Sequence, residues 1–192
     1  MCWKSAPICA AGCGCAVDCR LAPLQANIIG KRLVKSPKVY VRDSGIEHAL
    51  LNIGDHEALL GHPVSGASWE GFVIESLIAA APRQTVPLFY RTGAGAEVDL
   101  LLEIPKHGLW AIEIKRGLPA RPGKGFFIAC DDLKPARRFV VNSGTERYRV
   151  DAHTEAIGLR ELAETLAAAA TAPHPRLPGG RRVRYSKSSN AL

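Results

Sequence analysis

The stretch from Gly95 to Lys115, GAEVDLLLEIPKHGLWAIEIK, carries charge inside an otherwise apolar pattern. It reads as two strands joined by a polar turn over Ile104 to Gly108, where Pro and Gly interrupt the apolar runs. Side chains on a strand alternate between faces. Glu97 and Asp99 therefore share one face of the first strand, and Glu113 and Lys115 share one face of the second. Three carboxylates and an ammonium converge on neighbouring strands. Charges in an apolar setting are costly unless they pair or bind a metal ion, so ion pairing or cation binding is the chemistry open to this stretch.

A further acid comes from a helix. Residues 67–81, ASWEGFVIESLIAAA, form an amphipathic pattern with Phe72, Val73, Ile74, Leu77 and Ala80 in one arc. Glu70 falls inside that arc and is expected to face the sheet, with a head that snorkels to solvent as the plainer alternative. Glu75 falls outside it and is expected to face water.

The elements that position these residues follow in order. A short strand over Lys38 to Arg42 has Val39 and Val41 on one face, and Asp43 or Ser44 caps a helix from Gly45 to Asn52. Gly54 to Gly66 is a connector with a helical piece around Glu57 to Leu60. Pro82 stops the main helix, and Val86 to Thr92, Ala96 to Ile104 and Leu109 to Arg116 make a three-stranded meander. A helix over Gly123 to Leu133 turns Phe126, Phe127 and Ala129 or Cys130 to the core. Strands at Arg137 to Asn142 and Tyr148 to Val150 and a terminal helix from Gly158 to Ala170 complete an α/β domain.

The net charge of +7 over 192 residues is not spread evenly. Residues 1–42 hold seven Lys and Arg against one acid, residues 43–172 hold thirteen against seventeen, and residues 173–192 hold five against none. The central region is mildly acidic between basic flanks. No apolar run approaches the roughly eighteen residues of a membrane span, so no membrane partner is expected. The domain boundaries expected are a disordered or truncated leader at 1–20, a basic connector at 21–42, the domain at 43–172 and a disordered basic tail at 173–192. In the connector, Lys31, Arg32, Lys35 and Lys38 suit either phosphate contacts or a solvated link.

Several other chemistries lack their patterns. Cys9, Cys13, Cys15 and Cys19 do not have the paired knuckles of structural zinc sites, and the same segment has no apolar core of a signal peptide. Gly117 to Gly125, GLPARPGKG, has the wrong glycine spacing for a phosphate-binding loop and no Ser or Thr after Lys124, so the chain offers no ATP site. The six histidines are scattered and expected at the surface, Ser68 and Ser143 lack a nucleophile elbow, and Cys130 in an apolar helix is expected to be inert.

Glu70 in WEGFVIE, Asp99 in EVDLLLE and Glu113-Ile114-Lys115 in AIEIK resemble the active-site pattern of the PD-(D/E)XK nuclease superfamily. The resemblance implies a restriction-endonuclease-like core of helix, three-stranded meander, helix and strand, with Glu70, Asp99, Glu113 and Lys115 as catalytic residues. It implies magnesium held by Asp99 and Glu113 with the carbonyl of Ile114, a Lys115 that orients the attacking hydroxide or balances the charge developing on phosphorus, and DNA as substrate. A closer resemblance, over about residues 21–170, is to the domain of unknown function that follows AAA-type ATPase modules in bacterial and archaeal proteins, carried by KRLVKSPKVYVRDSGIEHALL, GASWEGFVIESLI, FYRTGAGAEVDLLLE and AIEIKRG. That implies a cytoplasmic, detached or truncated C-terminal domain with an ATPase module or another protein as partner. The competing expectation is a catalytically retired nuclease fold used as an interaction module, in which Asp99 pairs with Lys115, Glu97 and Glu103 are solvated, and Glu113 takes a backbone amide.

Overall fold

The computed structural model describes residues 18–24, 32–34 and 36–171. Among them, five helices and eight strands form a mixed α/β arrangement: β1 (Asp18–Pro23), β2 (Lys38–Val41), α1 (Ser44–Leu50), α2 (His56–Gly61), α3 (Ser65–Ala80), β3 (Val86–Arg91), β4 (Glu97–Ile104), β5 (Gly108–Ile114), α4 (Lys124–Leu133), β6 (Arg137–Asn142), β7 (Tyr148–Arg149), β8 (Thr154–Gly158) and α5 (Leu159–Thr171). The strands make one sheet in the order β2-β1-β3-β4-β5-β6-β8-β7. The meander β3-β4-β5 is antiparallel, while β5, β6 and β8 run parallel. No helix among the described residues is long and apolar enough to cross a membrane.

Alternation along the strands feeds two apolar layers. Val73, Ile74 and Leu77 of α3 and Leu162 and Leu166 of α5 pack with Phe89, Leu100, Leu102, Ile112, Phe139 and Ile157 on one face of the sheet. Phe126, Ala129 and Cys130 of α4 pack with Tyr90, Val98, Leu101 and Ala111 on the other. The helix α4 lies hard against the start of β4, since a Cβ on Gly125 would come within 2.3 Å of the Gly95 carbonyl oxygen. Only glycine permits that approach.

Asp43, rather than Ser44, caps α1: its side chain accepts hydrogen bonds from the Gly45 and Ile46 amides at 2.8 and 3.1 Å. Other expectations are corrected. The sheet extends into the stretch read as a connector, because β1 pairs with both β2 and β3. Thr154–Gly158, not assigned from sequence, is a buried strand between β6 and β7. On β2, Val39 and Val41 share one face as expected, but Val39 is 56% exposed and the inward pair is Lys38 and Tyr40. On α3, Phe72 is 46% exposed and lies against the Trp69 ring, while Ser68 and Gly71 are buried where His48 and Tyr40 reach the helix. Glu75 does not face free water. It is half-buried, bonded to Arg42 at 3.2 Å, and its second oxygen is buried without a partner. His48 likewise leaves the surface to meet Ser68 at 2.7 Å. The expectations for residues 1–17 and 172–192 lie outside the described residues.

Candidate functional site

The site forms where β4 and β5 part. Their ladder runs from Ile104↔Gly108 to Leu100↔Ile112 and then ends. Just beyond it, β4 carries one extra residue: β3 advances two positions from Leu88 to Tyr90 while β4 advances three from Leu101 to Val98. This bulge leaves Val98 on the α4 face and Leu100 on the α3 face, so Asp99 tips toward α3 instead of following Leu101 to the other side. Its Oδ2 then accepts the Ile114 amide at 3.0 Å, replacing the missing ladder bond with a carboxylate.

Glu70 arrives from α3 and meets Asp99 through a shared cation. Lys38 Nζ lies 3.2 Å from Glu70, 3.4 Å from Asp99 and 3.0 Å from Glu97. The Tyr40 hydroxyl donates to Glu70 at 2.5 Å. Next to Glu70, the Trp69 indole N–H donates to the Lys115 carbonyl at 3.3 Å and registers α3 against the end of β5. Glu113, only 6% exposed, is bonded to Lys115 Nζ at 2.7 Å, and the N-terminal end of α4 stands beside it at Gly123. Glu97 also meets Arg91 at 3.4 Å.

Lys38, expected in a basic cluster that contacts phosphates or forms a solvated link, thus turns its ammonium into the acid group. Arg32 is exposed; Lys31 and Lys35 lie outside the described residues. The Asp99–Lys115 pair expected of a retired fold is not formed: Asp99 bonds to Lys38 and the Ile114 amide, and Lys115 bonds to Glu113. The bulge explains the exchange, since it aims Asp99 at Lys38 and the Ile114 amide, leaving Lys115 to pair with Glu113 of its own strand. Glu97 is half-buried rather than solvated, while Glu103 is exposed as expected.

The electrostatics follow from this crowding. Burial, with the charges of Glu113 and Glu70, pushes Asp99 up to about 6, against the opposing pull of Lys38 and the Ile114 amide. Burial alone would lower Lys38, but Asp99, Glu70 and Glu97 outweigh it and hold the ammonium above its ordinary range. Lys115 is raised in the same way, its burial outweighed by Glu113, Asp99 and Glu70. Burial and the bond to Glu70 hold the Tyr40 phenol well above its usual value. Away from the site, burial raises the Cys130 thiol to about 12, in keeping with an inert cysteine.

A profile for a domain of unknown function, DUF4143, matches residues 65–162, half of the chain. The chain belongs to this family. The matched region opens on α3 and ends in α5, and it contains Glu70, Asp99, Glu113 and Lys115 but not Lys38 or Tyr40. Uncharacterized protein Mb2031c of Mycobacterium bovis and Uncharacterized protein Rv2008c of Mycobacterium tuberculosis are each 44% identical over 131 residues, which is 67% of this chain. The chain spans about 29% of the length of these curated relatives. No solved structure matches.

Proposed function

We propose that this DUF4143 domain is a divalent-metal-dependent phosphodiester hydrolase of the PD-(D/E)XK type, acting on DNA in partnership with an AAA-type ATPase module. The observation that carries the reading is the excess of carboxylate where β4 and β5 part. Glu70, Asp99 and Glu113 stand against the two ammoniums of Lys38 and Lys115, and Asp99 is raised to about 6 by burial and by its acidic neighbours. A group that repels itself in this way is relieved by a cation. The order α3, β3, β4, β5, α4, β6 is the restriction-endonuclease-like order and supports the same reading.

The donors fit magnesium in kind, being hard carboxylate oxygens. As the side chains stand, the described residues contain no ready-made group of three ligating His, Cys, Asp or Glu, and Lys38 Nζ lies 3.4 Å from Asp99. Asp99 and Glu113 would hold the ion. Bound magnesium supplies charge for the scissile phosphate and acidifies a water. Glu70, fixed by Tyr40 and by the anchoring of Trp69, accepts hydrogen bonds from water on the α3 side. Lys115 ligates nothing and sets its ammonium against the charge that develops on phosphorus. Arg32 on the exposed flank gives a contact to the DNA backbone that does not read sequence.

One observation favours the second reading, a retired fold that serves as an interaction module. Every carboxylate of the group already has a cationic partner, and Lys38 alone bonds three of them. Incubation with supercoiled plasmid and with single-stranded DNA in magnesium or manganese separates the two. Hydrolysis predicts nicking or degradation that a chelator stops; the interaction module predicts intact DNA in every condition.

A further inference from the structure

Lys38 already occupies the acid group. Its ammonium shares Glu70 Oε1 with the Tyr40 hydroxyl and touches Asp99 Oδ1, and it lies 5.7 Å from the centre of the Phe89 ring. Both Lys38 and Tyr40 belong to β2, the edge strand of the sheet, two residues apart and so on one face. A dication taking Asp99 Oδ1 would sit no more than about 5.5 Å from this ammonium, where like charges repel strongly in a partly buried setting. The two occupants therefore exclude each other.

We propose that Lys38 is a built-in counter-ion on Asp99 Oδ1 and Glu70 Oε1, so that a divalent ion held by Asp99 and Glu113 loads the site only as the Lys38 ammonium withdraws. The proposal rests on the hydrolase reading for the nature of the incoming ion, and it adds a control on that site from a strand outside the matched family region. The geometry permits the exchange. Lysine is a flexible stem carrying a point charge, and among the described residues β2 pairs only with β1. When Lys38 leaves, Tyr40 still holds Glu70 and Arg91 still holds Glu97, so the acids keep their places.

Manganese binding to the full chain, followed by electron paramagnetic resonance and referenced to Asp99→Asn, tests the exchange without calling on catalysis. Lys38→Met keeps the stem and removes the charge, and it should bind manganese on the order of tenfold more tightly than wild type. Equal or weaker affinity overturns the proposal. A second measurement needs no variant: acylation of Lys38 by an amine-reactive ester, read by peptide mapping, should rise several-fold when manganese saturates the wild-type chain. An unchanged rate overturns it. Plasmid cleavage is scored separately. A chain that exchanges Lys38 for manganese but leaves DNA intact keeps this inference and loses hydrolysis, whereas a chain that cuts DNA with no gain in affinity for Lys38→Met keeps hydrolysis and loses the inference.

Discussion

The two ends of the β4–β5 hairpin are built from the same pair of strands and do opposite things. At the turn end the ladder is continuous, and Leu100, Leu101, Leu102, Trp110, Ala111 and Ile112 bury their side chains on both faces. At the open end the ladder stops, a bulge re-aims Asp99, and a side-chain carboxylate takes the amide that the partner strand no longer reaches. Apolar burial holds the first end without directing anything at a ligand. At the second end, groups that repel one another are held in place by the first, which is how a fold stores charge that a ligand can use.

The largest effect is expected at the turn end. Leu102→Ala removes a side chain that is fully buried between the sheet and α3, and it should cost about 2–5 kcal/mol in denaturant unfolding. The folded fraction should bind cations as the parent does, because the charged end is untouched. A loss of cation affinity without a loss of stability would show that the ends are not separable in this sense.

The next effect is electrostatic. Asp99 titrates at about 6 in the folded chain against an ordinary 3.8, so the folded state holds this proton more tightly than the unfolded state does. The stabilisation from this group is therefore complete below about pH 4 and is lost as pH rises through 6, a change on the order of 2–3 kcal/mol. Lys38 and Lys115, both raised, stay charged through that window and add no slope. Denaturant midpoints between pH 4 and 7 in chelator should fall with pH more steeply for the parent than for Asp99→Asn. Equal slopes would contradict the crowding of carboxylates around Asp99.

The smallest effect sharpens the role of β2. Tyr40→Phe removes one hydrogen bond to a carboxylate and should cost about 1–2 kcal/mol, measured by the same midpoints. No loss would mean that Glu70 is held by Lys38 and the packing of α3 alone.

Much of the scaffold was legible because its signals are local. The period of α3, the stop at Pro82, the alternation in β4 and β5 and the apolar run of β6 each appear within a few residues. The inward direction of Glu70 was legible from its place in the apolar arc. What escaped depends on contacts between distant residues. Lys38 looked like one of four basic residues in a connector, and only β2 pairing at the sheet edge turns it toward Glu70 and Asp99. Its spacing of two from Tyr40 was the available clue, because whichever face one takes the other shares. Thr154–Gly158 is five residues with a Glu at its second position, too short and too mixed to stand out, yet it is buried by β6 and β7 on either side. The bulge at Asp99 left no sign in EVDLLLE, since two adjacent apolar or charged residues fit a bulge and a plain strand alike.

The central claim is that the acids at the parting of β4 and β5 form a cation site that hydrolyses phosphodiesters. The most direct measurement pairs manganese affinity with plasmid cleavage for the parent, Lys115→Ala and Asp99→Asn. The account predicts that the parent binds and cuts, that Lys115→Ala binds within a few-fold of the parent but does not cut, and that Asp99→Asn does neither, because an amide is a far weaker ligand than a carboxylate. A parent chain that neither binds manganese nor magnesium nor cuts any form of DNA would contradict it.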